Sequence, residues 1–193
     1  MALPAYRHDT TFNYHDYLNW GPEIHGEIIN GTFFDMSPAP STRHQVVLGE
    51  LFTQFSVYLR HKTCKVFVAP FDVRFIADST EDDKIQNVVQ PDITIVCDRS
   101  KIDKNGCQGS PDLVVEIVSP GTLKKDMKEK WRLYEKFGVQ EYWLVYPEEN
   151  MVYVFTLSKD GKYQRPEIYA EEDIIQVGIF EDLKITLSEI FRE

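Results

Sequence analysis

The stretch Leu113–Val118, inside "SPDLVVEIVSP", constrains this chain most. It is a β-branched apolar run without polar alternation, flanked by prolines, and it reads as a strand buried within a sheet. One residue breaks the run. Glu116 places a carboxylate where burial is costly unless a partner holds it. What binds Glu116 is therefore the first functional question the sequence raises.

The neighbouring segments supply the rest of the layer. "TTFNYHDYLNW" reads as a short helix capped by Thr10 or Thr11. "GEIINGTFFDMS" reads as a hairpin turning at Asn30-Gly31. "STRHQVVLGELFTQFSVYLRHK" is a long amphipathic helix with Ser41 as N-cap. "CKVFVAPFDVRFIA" alternates like one strand, or two with a kink at Pro70, and "VVQPDITIVC" reads as one strand. "LKKDMKEKWRLYEKFG" is a helix stopped by Gly138, and "EYWLVYP" a buried strand. The remainder reads as a terminal antiparallel meander, closed by "LSEIF" as a short helix. The middle therefore runs helix, strand, strand, strand, helix, strand: an α/β (α+β) arrangement with a mixed sheet flanked by helices. No repeat or linker divides the chain, and residues 1–193 read as a single domain.

Several charges stand on apolar faces. At about 100° per residue, Met127, Trp131, Leu133, Tyr134 and Phe137 form one arc, and Asp126 and Lys130 fall inside it. Their i, i+4 spacing also suits a mutual structural pair. His44 shares a face with Val47, Leu48, Leu51, Phe55 and Tyr58, which fits either a core histidine or a site residue. Asp72 lies on a strand face with Arg74, and Glu27 lies in the hairpin. Two Pro-Asp pairs precede apolar strands. Asp112 shares a strand with Glu116, about 13 Å away at ~3.3 Å per residue, too far for one small cation. Asp92 belongs to another strand, and paired strands lie about 4.8 Å apart, so Asp92 is the better partner for Glu116.

Composition narrows the function classes. No apolar run approaches the roughly 20 residues of a membrane span. "MALPAYRHDTTF" lacks the order of a signal peptide, and Cys64, Cys97 and Cys107 read as reduced thiols, so a cytoplasmic protein is expected. The net charge of −10 weighs against a broad nucleic-acid footprint, which needs Lys and Arg.

Taken together, "GEIINGTFFDMSP", His44, "PFDVRF", "QPDITIVC", "PDLVVEIVSPGT", "DMKEKWRLYEKFGVQEYWLVYP" and "LSEIF" resemble the PD-(D/E)xK nuclease superfamily, in its branch of bacterial restriction-endonuclease-like proteins. The resemblance covers nearly the whole chain. It implies a restriction-endonuclease-like core and Mg²⁺-dependent hydrolysis of phosphodiester bonds in DNA, with Mn²⁺ as a substitute metal. It assigns Asp92, Glu116 and the backbone carbonyl of Ile117 to the metal, and Lys130 to the attacking water and the phosphoryl charge. Glu27, His44, Asp72 and Asp126 are implied as supporting residues. The motif's lysine belongs two residues after the glutamate, where this chain has Val118. Lys130, in the pattern Asp126, Lys130, Tyr134, is implied as its migrated replacement.

Three readings stay open. The chain is a metal-dependent endonuclease; or a catalytically silent nuclease fold that binds or regulates, with Glu116 held by Lys130; or a metal-dependent hydrolase of another phosphoester. Nucleases of this fold often pair to cut both strands, so a homodimer is expected. The aromatics of the meander, Tyr153, Phe155, Tyr163, Tyr169 and Phe180, fit either its interface or the core.

Overall fold

The computed structural model describes residues 11–36, 40–77 and 80–192. Thr10 lies outside them. The first helix, α1 (Tyr14–Leu18), is capped not by a threonine but by Asn13, which exchanges hydrogen bonds with Asp16 in a capping box. β1 (Gly26–Ile29) and β2 (Thr32–Asp35) form the expected hairpin, with Asn30 at φ 49° and Gly31 at φ 74°. Two successive positive φ values are what a tight two-residue turn requires. α2 (Thr42–Leu59) starts at Ser41, whose hydroxyl accepts the His44 N–H. Its buried stripe is His44, Val47, Leu51, Phe55 and Leu59.

The following strands divide between two sheets. β3 (Lys65–Val68) and β4 (Val73–Arg74) are separated at Pro70, and β5 (Val88–Val89) and β6 (Ile93–Val96) at Gln90-Pro91. "VVQPDITIVC" is therefore two strands, not one. Pro91 has no N–H to continue a ladder, and the chain changes sheet there. β7 (Ile102–Asp103) and β8 (Gly106–Gln108) complete the first sheet, in the order β2-β1-β5-β4-β8-β7.

The second sheet is the centre of the molecule. β9 (Leu113–Ile117) and β10 (Glu141–Tyr146) are parallel, joined by a π-helical turn (Lys125–Lys130) that continues into α3 (Trp131–Phe137). α3 ends where Gly138 takes φ 78°. With β11 (Met151–Thr156) and β12 (Glu167–Ala170) the order is β12-β11-β10-β9-β6-β3. β13 (Ile174–Gln176) and β14 (Lys184–Thr186) form a separate hairpin before α4 (Leu187–Ile190).

Every residue of β9 is buried because both faces are covered. Leu113, Val115 and Ile117 pack with α2, the β13–β14 hairpin and α4. Val114, Tyr142 and Leu144 pack on the other face with Leu133 and Tyr134. Each fully buried aliphatic side chain contributes about 1.5–3 kcal/mol, and this double layer explains the unbroken apolar run. Phe155 and Tyr163 are buried in the second cluster, while Tyr153, Tyr169 and Phe180 pack against one cluster or the other, so these aromatics serve the core. Met127 departs from the expected arc: it is 46% exposed, because the π-turn rotates the helix face at that point.

The cysteine expectation is corrected. Cys64 and Cys97 form a disulfide, and Cys107 alone is a buried thiol. Lys65 pairs with Val96, so the β3–β6 register sets the two flanking cysteines opposite each other. Their separation of 33 residues hides this in the sequence. Among the described residues no helix is long and apolar enough to cross a membrane.

Candidate active site

β6 and β9 run antiparallel with Ile93 opposite Val115, a register that carries Asp92 opposite Glu116. The two carboxyls meet at one end of the central sheet, on the floor of a cleft of about 890 Å³. Asp112 lies at the other end of β9, where its carboxyl accepts the Cys97 N–H.

Asp92 Oδ2 accepts the Ile117 N–H at 2.7 Å and lies 3.4 Å from His44 Nε2. Glu116 Oε1 accepts from Lys130 Nζ at 2.8 Å and from the Tyr134 hydroxyl at 2.6 Å. Among the described residues, Asp92 Oδ1 and Glu116 Oε2 have no hydrogen-bond partner. Lys130 Nζ also lies 2.8 Å from Glu27 Oε1 and 3.9 Å from Asp126 Oδ1. Glu27 is a branch point. Its Oε1 accepts the Gln90 N–H at 2.9 Å, and its Oε2 accepts from Lys125 Nζ at 2.7 Å.

Three carboxyls (Glu27, Glu116, Asp126) thus surround two ammonium groups, Lys125 and Lys130, and Asp92, beside His44, adds a fourth that acts on Glu116. The imbalance shows in their protonation. Burial pushes the Glu116 carboxyl up to about 8; Lys130 pulls it down, and Asp126, Asp92 and Glu27 push it further up. Both hydrogen bonds to Glu116 land on Oε1, so a proton on Oε2 is compatible with the Lys130 contact. Burial likewise raises Asp126. Burial acts against ionised Glu27 too, but Lys130 and Lys125 outweigh it and the carboxyl is lowered. Burial acts against the Lys130 ammonium, yet Glu116, Glu27 and Asp126 outweigh it and hold its pKa well above the ordinary lysine value.

Of the residues expected from sequence, Glu27, His44, Asp92, Glu116, Ile117, Asp126 and Lys130 all line the cleft. Asp72 does not. It accepts from Tyr17 at 2.8 Å and from Gln90 Nε2 at 2.7 Å, one layer behind the cleft wall. Gln90 therefore links Asp72 to Glu27. Two participants escape sequence reasoning, Lys125 on Glu27 and Gln90, and Tyr134 is legible there only as the end of the Asp126, Lys130, Tyr134 pattern, not as the partner of Glu116. Tyr134 carried a signal, since it follows Lys130 at the same four-residue step by which Lys130 follows Asp126.

A hard divalent cation fits this donor set. Two carboxylate oxygens from paired strands are unclaimed, and among the described residues the buried Asp126 Oδ1 and His44 Nδ1 have no hydrogen-bond partner, Lys130 Nζ lying 3.9 Å from the former. The carboxyls exceed the ammonium groups by two. Among the described residues no group of three or more His, Cys, Asp or Glu side chains is placed to hold a metal ion. Mg²⁺ does not require one, because it keeps several waters and takes one or two carboxylates plus substrate phosphate.

The profile of the Uma2 family, described as "Putative restriction endonuclease", matches residues 14–188. An uncharacterized protein of Synechocystis, slr1290, is 27% identical over 152 residues, covering 77% of this chain and 75% of its own. A crystal structure from Anabaena variabilis, titled as a putative nuclease belonging to DUF820, superposes with a TM-score of 0.73 at 20% identity. That likeness covers 93% of this chain and 97% of the other, and it concerns the fold.

Proposed function

The chain belongs to the Uma2 family of restriction-endonuclease-like proteins, and from that premise we propose that it is a Mg²⁺-dependent endonuclease hydrolysing phosphodiester bonds in DNA. The observation that carries the proposal is the placement of Asp92 opposite Glu116, each with an unclaimed oxygen, beside a lysine delivered from the next helix.

On this reading Asp92, Glu116 and the Ile117 carbonyl hold the metal, which supplies a more acidic water and polarises the phosphoryl oxygen. Lys130 stands where the conventional motif lysine is missing. Its ammonium, fixed by Glu27 and Glu116, orients the attacking water and offsets charge developing on the phosphoryl group. Tyr134 and Glu27 hold that geometry. His44 fixes the second oxygen of Asp92, and Asp72 acts through Gln90 on the backbone that supports Glu27. The same reading takes residues 1–193 as one domain that acts as a homodimer.

One observation favours a second reading. Lys130 bonds directly to Glu116 and Glu27, as in a purely structural ion pair. A silent nuclease fold used for binding follows if that pair is the whole explanation. Cleavage of single-stranded DNA beside plasmid and linear duplex DNA, in Mg²⁺ or Mn²⁺, separates the two. Wild type cuts and Glu116→Gln does not if the site is catalytic; equal cutting by both, from clean preparations, removes the assignment.

A further inference from the structure

A nuclease site alone does not specify whether its strand arrives paired or single. Two features of this molecule bear on that. The floor of the cleft is recessed: Glu116 is 4% exposed and Lys130 3%. The walls above it are largely apolar, with Leu48 from α2, Val68 and Pro70 from the end of β3, and Val118 and Pro147 beyond β9 and β10. At about 890 Å³ the cleft is of the size that encloses a small ligand. A phosphate held on a stiff duplex, with a persistence length of about 50 nm, does not bend into such a recess. A splayed nucleotide does, and its base finds an apolar wall.

Charge points the same way. A duplex brings one negative charge per ~1.7 Å, twice the density of a single strand, to a protein of net charge −10. The segment that delivers Lys130 also presents Lys124, Lys128, Arg132 and Lys136, four residues apart and all exposed. The row follows the π-turn into α3, so it curves around this segment and is not one straight helical stripe. It begins beside Lys125, which lines the cleft. Among the described residues only Lys128 in this row has a carboxylate within ion-pair reach, Glu129 at 3.7 Å. Among the described residues Lys124 and Arg132 face no carboxylate, and Lys136, whose ammonium lies 5.2 Å over the Phe137 ring, faces none either, so all three can take phosphates.

We propose, on the nuclease reading of this site, that the cleft takes one unpaired nucleotide of a single-stranded nucleic acid. Its phosphate sits at the Asp92–Glu116 floor and its base against Leu48, Val68 and Pro70. The flanking phosphates run along Lys124, Lys128, Arg132 and Lys136.

Fluorescence anisotropy tests this with wild-type protein, Ca²⁺ in place of Mg²⁺ or Mn²⁺ so that the carboxylates are filled without turnover, and a labelled 12-nucleotide thymidine oligomer, free or paired with its complement. The single strand is expected to bind at least tenfold tighter than the duplex. Lys128→Glu combined with Arg132→Glu, both exposed, is expected to weaken single-strand binding about tenfold. It should also reduce the salt slope by about 1.4, the value for two lost contacts at ~0.7 each. Equal or tighter duplex binding overturns the proposal, as does an unchanged salt slope or no binding of either form at low salt. Cleavage by wild type separates this from the parent reading. Duplex cut as fast as single strand removes the single-strand cleft and leaves the nuclease. Single-strand binding without cleavage in Mg²⁺ or Mn²⁺ removes the nuclease and leaves the cleft.

Discussion

Lys130 is the residue on which most of the site depends. It is buried, and three carboxyls face its ammonium. Removing one member of a buried charge cluster leaves the others uncompensated, at a cost of about 3–5 kcal/mol. Lys130→Met is therefore expected to destabilise by that amount in urea unfolding, whereas Tyr134→Phe, which deletes one hydroxyl, costs about 1 kcal/mol. A cost near zero for Lys130→Met contradicts the cluster. Glu116 gives a pH signature. Its carboxyl lies near 8 in the folded protein, above the ordinary value of 4.5. The folded state thus binds more protons than the unfolded chain between those values, and the linked stability falls as pH rises through that window. The melting temperature of the metal-free protein is expected to fall from pH 5 to 8, with a shallower fall in Glu116→Gln. Identical pH profiles would place the raised group elsewhere.

At the scale of elements, legibility in the sequence follows local pattern. The Asn30-Gly31 hairpin, the Ser41 cap and the Gly138 stop are written in residues within a turn of each other, and each is present. Asp126 and Lys130 are conspicuous because a charge on an apolar helix face violates periodicity. The split of "VVQPDITIVC" between sheets is not legible, because Val88-Val89 and Ile93–Val96 are both wholly β-branched and are told apart by their distant partners. The π-turn is equally hidden, although it decides that Met127 faces solvent while Asp126 and Lys130 stay buried. Gln90 and Lys125 become visible only once β5 and the turn are brought to Glu27. Gly106 shows how a remote strand supports the site. It has φ 125°, and a Cβ there would lie 2.2 Å from the Asp72 carbonyl oxygen. Gly106→Ala is expected to cost about 2 kcal/mol or more in denaturant unfolding, through left-handed strain and displacement of Asp72. An unchanged midpoint would show that β4 and β8 yield freely there.

Across the whole molecule, two covered faces isolate β9 from water, and only its end opens into the cleft. The same central sheet is tied at its β3 edge by Cys64–Cys97. Closing a loop of 33 residues restricts the unfolded chain by roughly 3–4 kcal/mol, so reductant or Cys97→Ser is expected to lower stability by about that much. Thiol titration of the unreduced, denatured protein should find Cys107 alone; three thiols would contradict the disulfide. The net charge of −10, which weighs against nucleic acid on composition alone, partly reflects carboxyls gathered in the cleft around two lysines. A divalent cation would neutralise that excess, and calorimetric titration of Mn²⁺ at near-neutral pH reads whether it does. Wild type is expected to bind, and Glu116→Ala, verified as folded, is expected to lose the binding. Mn²⁺ binding that survives unchanged in the variant, or no binding to folded wild type, would contradict a metal centre at Asp92 and Glu116.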